Sequence, residues 1–247
     1  HLRYSRAHFT LCAHVNPQFI VVGLIWYIVF LLSTTCHEGA HALVAHLGGD
    51  PTAMHGGQVS LSPLPHIRRE PFGTVVVPWL TYFLPPHWML GWASAPFDPA
   101  WAQRHPHRAA WMALAGPVAN FILAGVAAVA IHLGIAFDYF RVPDQASFTH
   151  VTTAAMRGTP EFAATFLSIL FVLNVLLGTF NLLPVPPLDG HTGITALMSE
   201  DTARRFLNWS HNQGLGFAGL LLAWVLYDRV FDYIFRFSLS VLYPGAY

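Results

Sequence analysis

Four long apolar segments dominate the sequence and restrict the folds that the chain can adopt. Each is about as long as the roughly 20 residues that an α-helix needs to cross the hydrocarbon core of a bilayer. The composition agrees, because 54% of the 247 residues are hydrophobic and only 10% are charged. We therefore predict an all-α polytopic membrane protein with about four transmembrane helices. The four segments are residues 17–47, 109–133, 161–183 and 214–236.

The sequence and its composition also indicate the domain organisation, the partners and the state of the cysteines. We expect residues 1–247 to form a single intramembrane domain, with a core over 17–198 and a C-terminal helix over 214–236. The lipid bilayer is one expected partner. The formal net charge is zero, which gives no sign of a nucleic-acid partner. Cys12 and Cys36 are too few for a disulfide framework and are interpreted as free thiols.

A further apolar stretch, residues 70–93, is interrupted by Pro78, Pro85 and Pro86. A backbone broken by proline is tolerated at membrane depth only where protein or a water-filled cavity covers it. We therefore predict a re-entrant hairpin or an interfacial segment here rather than a crossing. The neighbouring residues 94–108 are polar and are expected to form a loop outside the hydrocarbon.

The first apolar segment contains an ionisable cluster with the pattern H-E-x-x-H, His37-Glu38-Gly39-Ala40-His41. Side chains four residues apart share one face of a helix, so two imidazoles can hold one metal ion while Glu38 acts on a water. An unpaired acidic residue at the bilayer centre costs about 2.5–3.5 kcal/mol on insertion scales. A salt bridge is the structural alternative, but residues 7–67 contain no arginine or lysine. The cluster predicts a zinc site with one ion per chain.

Such a site needs a third ligand, and Asp189 in the stretch NLLPVPPLDGH is the best candidate. It follows an apolar helix directly, where prolines enforce an irregular path, and Gly190 permits close backbone approach or a positive φ. An ordinary turn is the alternative reading. The competing carboxylates, Glu161 and Glu200, lack the spacing of a downstream glutamate ligand. Two loop histidines stay open as pocket residues, His55 and His66.

The direction of the chain tests this choice. If residues 70–93 crossed the bilayer once, Asp189 would lie on the side opposite to the histidines. If they enter and return on one side, 109–133 runs back across the bilayer and 161–183 delivers Asp189 to the level of the histidines. The proline breaks and the metal site therefore predict the same topology.

The distribution of arginines gives an orientation for this topology. Because cytoplasmic loops are enriched in basic residues, the side with the histidines is expected to be cytoplasmic. That side holds Arg68, Arg69, Arg104, Arg108, Arg204 and Arg205, against Arg3, Arg6, Arg141 and Arg157 on the other, with Arg229 and Arg236 near the end of the last helix.

Three motifs together resemble the site-2 protease family of intramembrane zinc metalloproteases, peptidase family M50. They are H-E-x-x-H in an apolar helix, AGPVAN at 115–120 and NLLPVPPLDG at 181–190. The stretches at 47–67 and 91–99 resemble the compact bacterial branch, which has no PDZ or CBS domain. The resemblance covers about residues 30–198, and it implies that His37, His41 and Asp189 are zinc ligands and Glu38 the general base.

The resemblance also implies supporting roles for two asparagines. Asn181 matches an asparagine that is thought to help catalysis, with helix capping or an interhelical hydrogen bond as its structural alternative. Asn120 and the preceding Gly116-Pro117 match a helix that is expected to give packing and polar support. The family often has an acidic residue and a proline after its loop histidine. This chain has HIRREP at 66–71, which leaves the role of His66 open.

The resemblance implies hydrolysis of peptide bonds in or near transmembrane segments of membrane-protein substrates, in a bacterial inner membrane. Residues 57–64 alternate polar and apolar side chains, which predicts a short strand. We expect this β-like edge, with Val59 and Leu61, to pair with an unwound substrate, and a purely structural strand is the alternative. The rival functions are a catalytically silent scaffold, a metal or proton transporter and a prenyl-peptide protease. The oligomeric state is not indicated.

Overall fold

A computed structural model describes residues 16–212 and 216–247. In chain order its helices are α1 (Pro17–Leu47), α2 (Thr52–His55), α3 (Pro63–Arg69), α4 (Val77–Tyr82), α5 (Pro99–Arg104), α6 (Pro106–Ala136), α7 (Thr159–Asn181), α8 (Asp189–Gly193), α9 (Glu200–Asn212) and α10 (Gly216–Leu242). Strands β1 (Phe140–Arg141) and β2 (Thr153–Ala154) pair antiparallel between α6 and α7. A π-helical turn (Phe72–Val76) precedes α4, and a 3-10 turn (Ile194–Leu197) follows α8.

Among the described residues, three helices are long and apolar enough to cross a membrane: α1, α6 and α7. They coincide with three of the four predicted segments, so the all-α membrane class is confirmed. Proline occupies one of the first two positions in each of them, where its missing N–H costs nothing. At the start of α1, the Asn16 side chain also accepts a hydrogen bond from the backbone N–H of Gln18.

The fourth predicted segment forms α10, but its apolar stretch is shorter than a typical span. Within the described residues that stretch is Ala218–Tyr227, and the sequence then continues with Asp228, Arg229 and Asp232. The helix nevertheless extends along the bundle to its far end, where the Tyr243 hydroxyl donates to the backbone oxygen of Val151 (3.0 Å). Some residues named above lie outside the described part of the chain, namely Arg3, Arg6, Cys12, 214 and 215.

The three spanning helices run alternately in direction and share one apolar core. The Arg108 guanidinium, in the first turn of α6, donates to the backbone oxygen of Gly48 at the end of α1 (3.1 Å), so α6 runs antiparallel to α1. More than half of the apolar window of α7 is buried, against 22% for α6, so α7 is the more enclosed helix. The core contains Trp26, Val29 and Phe30 of α1, Ala127 and Ile131 of α6, and Ile169 and Val172 of α7.

Residues 70–98 form a hairpin of one helical and one extended limb. The helical limb comprises the π-helical turn and α4, and the chain then turns and returns beside it. The backbone N–H of Trp92 donates to the backbone oxygen of Gly73 (3.1 Å), and that of Leu90 donates to the Thr81 hydroxyl oxygen (2.9 Å). These bonds hold the two limbs side by side.

Both ends of the hairpin lie on the same side of the bundle. At the base, the Ser94 hydroxyl donates to the Glu70 carboxylate (2.7 Å). At the tip, the Tyr82 hydroxyl donates to the backbone oxygen of Phe19, near the start of α1 (2.7 Å). The segment therefore enters and returns, which confirms the predicted re-entrant path.

Two expectations about the loops are wrong. Residues 57–64 form bends and the start of α3 rather than a strand, and the two strands lie elsewhere, between α6 and α7. The hydroxyl oxygens of Ser60 and Ser62 accept hydrogen bonds from backbone N–H groups two residues ahead, which competes with strand pairing. Residues 94–108, expected to form a loop, contain α5 and the first turn of α6.

Asp50 joins the end of α1 to the exit of the hairpin. Its side chain is buried, and its carboxylate accepts hydrogen bonds from the backbone N–H of Thr52 (3.0 Å), the Thr52 hydroxyl and the backbone N–H of Asp98 (2.7 Å). Burial alone would raise the pKa of Asp50, but these hydrogen bonds outweigh it and lower the pKa below its ordinary value.

Asp50→Asn should lower the melting temperature in detergent at neutral pH. If the new amide oxygen keeps the bonds from Thr52, the new amide nitrogen faces the backbone N–H of Asp98, and two donors then face each other. A buried donor left unsatisfied costs about 1–3 kcal/mol. Since the folded pKa of Asp50 is depressed, its stabilisation is complete above the unfolded pKa and is lost as the pH falls through the folded value. The difference in melting temperature should therefore narrow below about pH 4. A constant difference would contradict this account, and the exposed control Asp201→Asn should change little.

Candidate metal centre

The predicted H-E-x-x-H cluster lies on α1, in the interior of the bundle. The side chains of His37, Glu38 and His41 are all buried. Their potential ligand atoms lie within 4.8 Å of one another, and the Nε2 atoms of the two histidines are 3.0 Å apart. The helix therefore aims both imidazoles at one point.

Asp189, the first residue of α8, lies much later in the sequence and reaches the same point. Its Oδ2 atom lies 3.0 Å from Nε2 of His37, and its Oδ1 atom lies 3.3 Å from Nε2 of His41. Four-coordinate zinc with ligand bonds of about 2.0–2.1 Å separates its ligand atoms by roughly 3.3 Å. The three side chains therefore have the spacing of zinc ligands.

Hydrogen bonds on the outer ring nitrogens fix the tautomer of each histidine. Nδ1–H of His41 donates to the backbone oxygen of Met112 (2.7 Å), and a carbonyl can only accept. Nδ1–H of His37 donates to Oδ1 of Asn120 (2.6 Å), whose amide nitrogen is turned towards Asn174 (2.8 Å). In the neutral imidazoles, which are the form that binds a metal, both Nε2 atoms therefore keep a lone pair directed at the site.

With both imidazoles neutral, the site brings acceptors together, and none of the described groups places a donor between them. Two nitrogen lone pairs and a carboxylate converge, and Oδ2 of Asp189 is buried with no hydrogen-bond partner in the described chain. Such groups repel one another unless a cation lies among them. A divalent metal ion fits the nitrogen and oxygen ligands, the spacing and the tautomers.

Two glycines allow the backbone to come this close. A Cβ atom at Gly116 of α6 would lie 2.6 Å from Nε2 of His37 and would also overlap Nε2 of His41. A Cβ atom at Gly190 would lie 2.6 Å from the backbone oxygen of Leu183. The close approach predicted for Gly190 is therefore found, and its φ is not positive.

The sequence model of peptidase family M50 matches residues 25–226. The chain belongs to this family. It is also 33% identical over 172 residues to the protein named "Putative zinc metalloprotease YwhC" of Bacillus subtilis (strain 168), an alignment that covers 69% of this chain and 68% of that protein. No solved structure matches the chain. Together with its apolar helices, the family makes this chain an integral membrane metalloprotease.

The two rival carboxylates do not reach the histidines of this M50 peptidase. Glu161 lies at the start of α7, where its side chain accepts a hydrogen bond from the backbone N–H of Gly158 (3.2 Å). Glu200 lies on α9 and forms a salt bridge with Arg204 (3.1 Å). The geometry therefore favours Asp189 over a downstream glutamate.

Of the two asparagines expected to support the site, one contacts it and the other does not. Asn120 contacts His37, as polar support requires, whereas Asn181 ends α7 and donates to the backbone oxygen of Leu177 in its own helix (3.1 Å). In the part of the chain that is described, Asn181 makes no hydrogen bond to the histidines or to Asp189. Its catalytic role stays a prediction.

The two loop histidines differ in exposure. His55 is exposed at the end of α2. His66 is buried on α3, and its Nε2 atom lies 3.4 Å from the backbone oxygen of Ser60. Among the described hydrogen bonds, His66 thus contacts the segment that was predicted to form the substrate edge, and not the candidate ligands His37, His41 and Asp189.

A groove with a cavity volume of about 460 Å³ opens beside the H-E-x-x-H turn. It lies between α1, α6 and residues 59–61, so Val59 and Leu61 face it although they form no strand. Apolar side chains dominate its walls. They include Cys36, Ala40, Leu43, Val59, Leu61 and Ile122.

Sequence reasoning missed three buried polar residues near the site. Asn174 and Ser33 are fully buried between the spanning helices, and each was visible as a polar residue inside an apolar segment. His191 follows Asp189 by two residues and packs against the ring of Phe206 (4.7 Å between centroids). Burial lowers the pKa of His191.

Gly116→Ala should reduce zinc affinity by at least about tenfold, because the new methyl group would displace the imidazoles from a shared ion. Gly125→Ala in the same helix is the matched control, since a Cβ atom there meets nothing within 4 Å. Zinc affinity would be measured by competition with a chelator on protein purified in detergent. Equal affinity of the two variants would contradict the proposed geometry.

Proposed function

We propose that this M50 peptidase is a site-2-type intramembrane zinc endopeptidase. Its substrates are membrane proteins that it cleaves in or near a transmembrane segment, in regulated intramembrane proteolysis. One observation carries the proposal: His37, His41 and Asp189 converge as acceptors inside an apolar bundle, with Glu38 beside them. These three side chains would hold one zinc ion per chain.

The chemistry follows from the groups around this point. Zinc, when bound, lowers the pKa of a water to about 7 and polarises the scissile carbonyl. Glu38 takes the proton of the attacking water and later delivers it to the leaving amine. Within the described chain no group donates a hydrogen bond to the Glu38 carboxylate, so it is free to accept this proton. Asn120 and the Met112 carbonyl keep the two imidazoles oriented.

Asn181 is proposed to donate to the oxyanion that develops on the scissile carbonyl. Its amide nitrogen now donates to Leu177 of its own helix, so this role requires the side chain to rotate when substrate binds. Its position at the end of α7, directly before the loop that leads to Asp189, supports the proposal.

The groove beside α1 is the proposed binding site for the unwound substrate. A helical substrate hides its peptide groups in its own hydrogen bonds, so it must unwind before attack. Among the described contacts, the backbone N–H groups of Val59 and Leu61 have no acceptor, and both residues line the groove. An extended peptide can pair with these groups and place apolar side chains in the groove.

The orientation of the site follows from its neighbours. The ends of α1 and of the hairpin base, with the starts of α5 and α6, lie on the arginine-richer side of the bundle. We propose a bacterial inner membrane with this side facing the cytoplasm, in agreement with the positive-inside rule. A silent scaffold or a metal or proton transporter is the alternative function of the same fold.

Glu38→Gln should abolish cleavage of transmembrane peptides by the purified protein, with turnover at least about a hundredfold lower. It should still bind zinc, because the three proposed ligands are intact. Cleavage is followed by mass spectrometry, and zinc by elemental analysis. Equal cleavage by wild type and variant would refute the peptidase proposal, and zinc flux into liposomes by both would favour a transporter.

Val59→Pro combined with Leu61→Pro should reduce cleavage by about tenfold without loss of zinc, because proline removes the two N–H donors. Val59→Ala with Leu61→Ala is the matched control, since it removes the side chains and keeps both donors. We expect the alanine variant to retain more activity than the proline variant. If the proline variant cleaves as fast as wild type, substrate does not pair with this segment.

A further inference from the structure

Three fully buried polar side chains connect the three spanning helices behind the metal centre. Asn120 of α6, Asn174 of α7 and Ser33 of α1 each have 0% of their surface exposed. Amide and hydroxyl groups at such depth are costly unless each finds a partner. Here they form one chain of hydrogen bonds that ends on His37.

The donor and acceptor at each step of this hydrogen-bond network can be assigned by starting from Asn174, the residue farther from His37. Nδ2 of Asn174 donates to the backbone oxygen of Leu170 (2.8 Å) and to the Ser33 hydroxyl oxygen (2.8 Å). Because a backbone carbonyl can only accept, the amide nitrogen of Asn174 must lie on that side. Its Oδ1 atom is therefore turned towards Asn120 and accepts from Nδ2 of that residue (2.8 Å).

The orientation of the Asn174 amide in turn fixes the orientation of the Asn120 amide and the hydrogen on His37. With its nitrogen committed to Asn174, Asn120 presents only Oδ1 to Nδ1 of His37 (2.6 Å). An amide oxygen cannot donate, so Nδ1 of His37 must carry the hydrogen. In the neutral ring, the Nε2 atom then keeps its lone pair towards Asp189 and His41.

We propose that Asn174 is a positioning residue that fixes the metal-binding tautomer of His37 through Asn120. The inference rests on the proposed function, since it assigns the tautomer a purpose in zinc binding. Without Asn174, the amide of Asn120 can turn over and present its nitrogen to His37. The imidazole then holds its hydrogen on Nε2, and an N–H group points at the place of the ion. Asn174 therefore acts on zinc affinity without touching the ligand set.

Asn174→Leu tests this inference in the full chain purified in detergent. It should weaken zinc binding by about 10–100-fold, the range for lost outer partners of metal ligands. Asn174→Asp should bind zinc nearly as wild type does, because the protonated carboxyl group can donate to the Leu170 carbonyl and still accept from Nδ2 of Asn120 through its other oxygen. Ser33→Ala should also bind zinc normally, because the bond to Leu170 alone orients the amide of Asn174.

The measurements are zinc affinity by chelator competition, the visible spectrum of the Co²⁺-loaded protein and the melting temperature. The Co²⁺ bands should change in the leucine variant and remain as in wild type in the aspartate variant. If Asn174→Leu does not fold, Asn174→Ala takes its place in the same comparison.

Three results would overturn the inference: wild-type zinc affinity in the leucine variant, an equal loss in a folded Asn174→Asp variant, or an equal loss in Ser33→Ala. The last two would indicate a general packing effect. If the wild-type protein itself bound no zinc, the proposed function would fail along with this inference. A zinc-binding wild type with an unaffected leucine variant would remove only the role of Asn174.

Discussion

The whole arrangement depends on placing three hydrogen-bond acceptors against one another in an apolar interior. Nε2 of His37, Nε2 of His41 and the carboxylate of Asp189 lie about one ligand spacing apart. The Nδ1 atoms of both histidines already have partners, and Oδ2 of Asp189 has no hydrogen-bond partner among the described residues. Water cannot relieve such crowding cheaply at this depth, and a divalent cation can. The buried ionisable residues, which would otherwise be a liability in lipid, are therefore explained by the ion that they are suited to hold.

The path of the chain through the bundle brings Asp189 to this point. Because residues 70–98 enter and return on one side, α6 begins next to the end of α1 and α7 ends at the level of the histidines. The buried carboxylate of Asp50 secures this path by joining the end of α1 to the exit of the hairpin. Gly116 then lets α6 approach the imidazoles, and Gly190 lets the proline-rich loop close around Asp189.

Much of this could be predicted from the sequence, because the relevant signals are local or strongly constrained. Apolar length predicted four spans, of which α1, α6 and α7 are found among the described residues. The four-residue spacing predicted the histidine pair, and the proline-rich stretch before Asp189 made that residue the candidate that chain direction then supported. The strand at 57–64 could not be excluded in this way. Alternation does not reveal that serine side chains bind the local backbone, or that the described residues offer this segment no neighbouring strand.

The hydrogen-bond chain through Asn174 was also beyond sequence reasoning, although the residue is visible inside an apolar helix. A polar side chain in such a helix is expected to have a hydrogen-bond partner, but only the packing of α1, α6 and α7 shows which residue that partner is. Ser33 and Asn174 are 141 positions apart, and their contact depends on the rotation of each helix about its own axis. Apolar length and spacing do not determine that rotation.

The central claim is that one metal ion is held by two imidazoles and a carboxylate from distant parts of the chain. X-ray absorption at the zinc edge, on protein loaded with one equivalent of zinc, tests it most directly. The account predicts only nitrogen and oxygen neighbours at about 2.0–2.1 Å, with the multiple scattering of two imidazole rings. A first shell without imidazole, or one containing a sulfur at about 2.3 Å from Cys36, would contradict it.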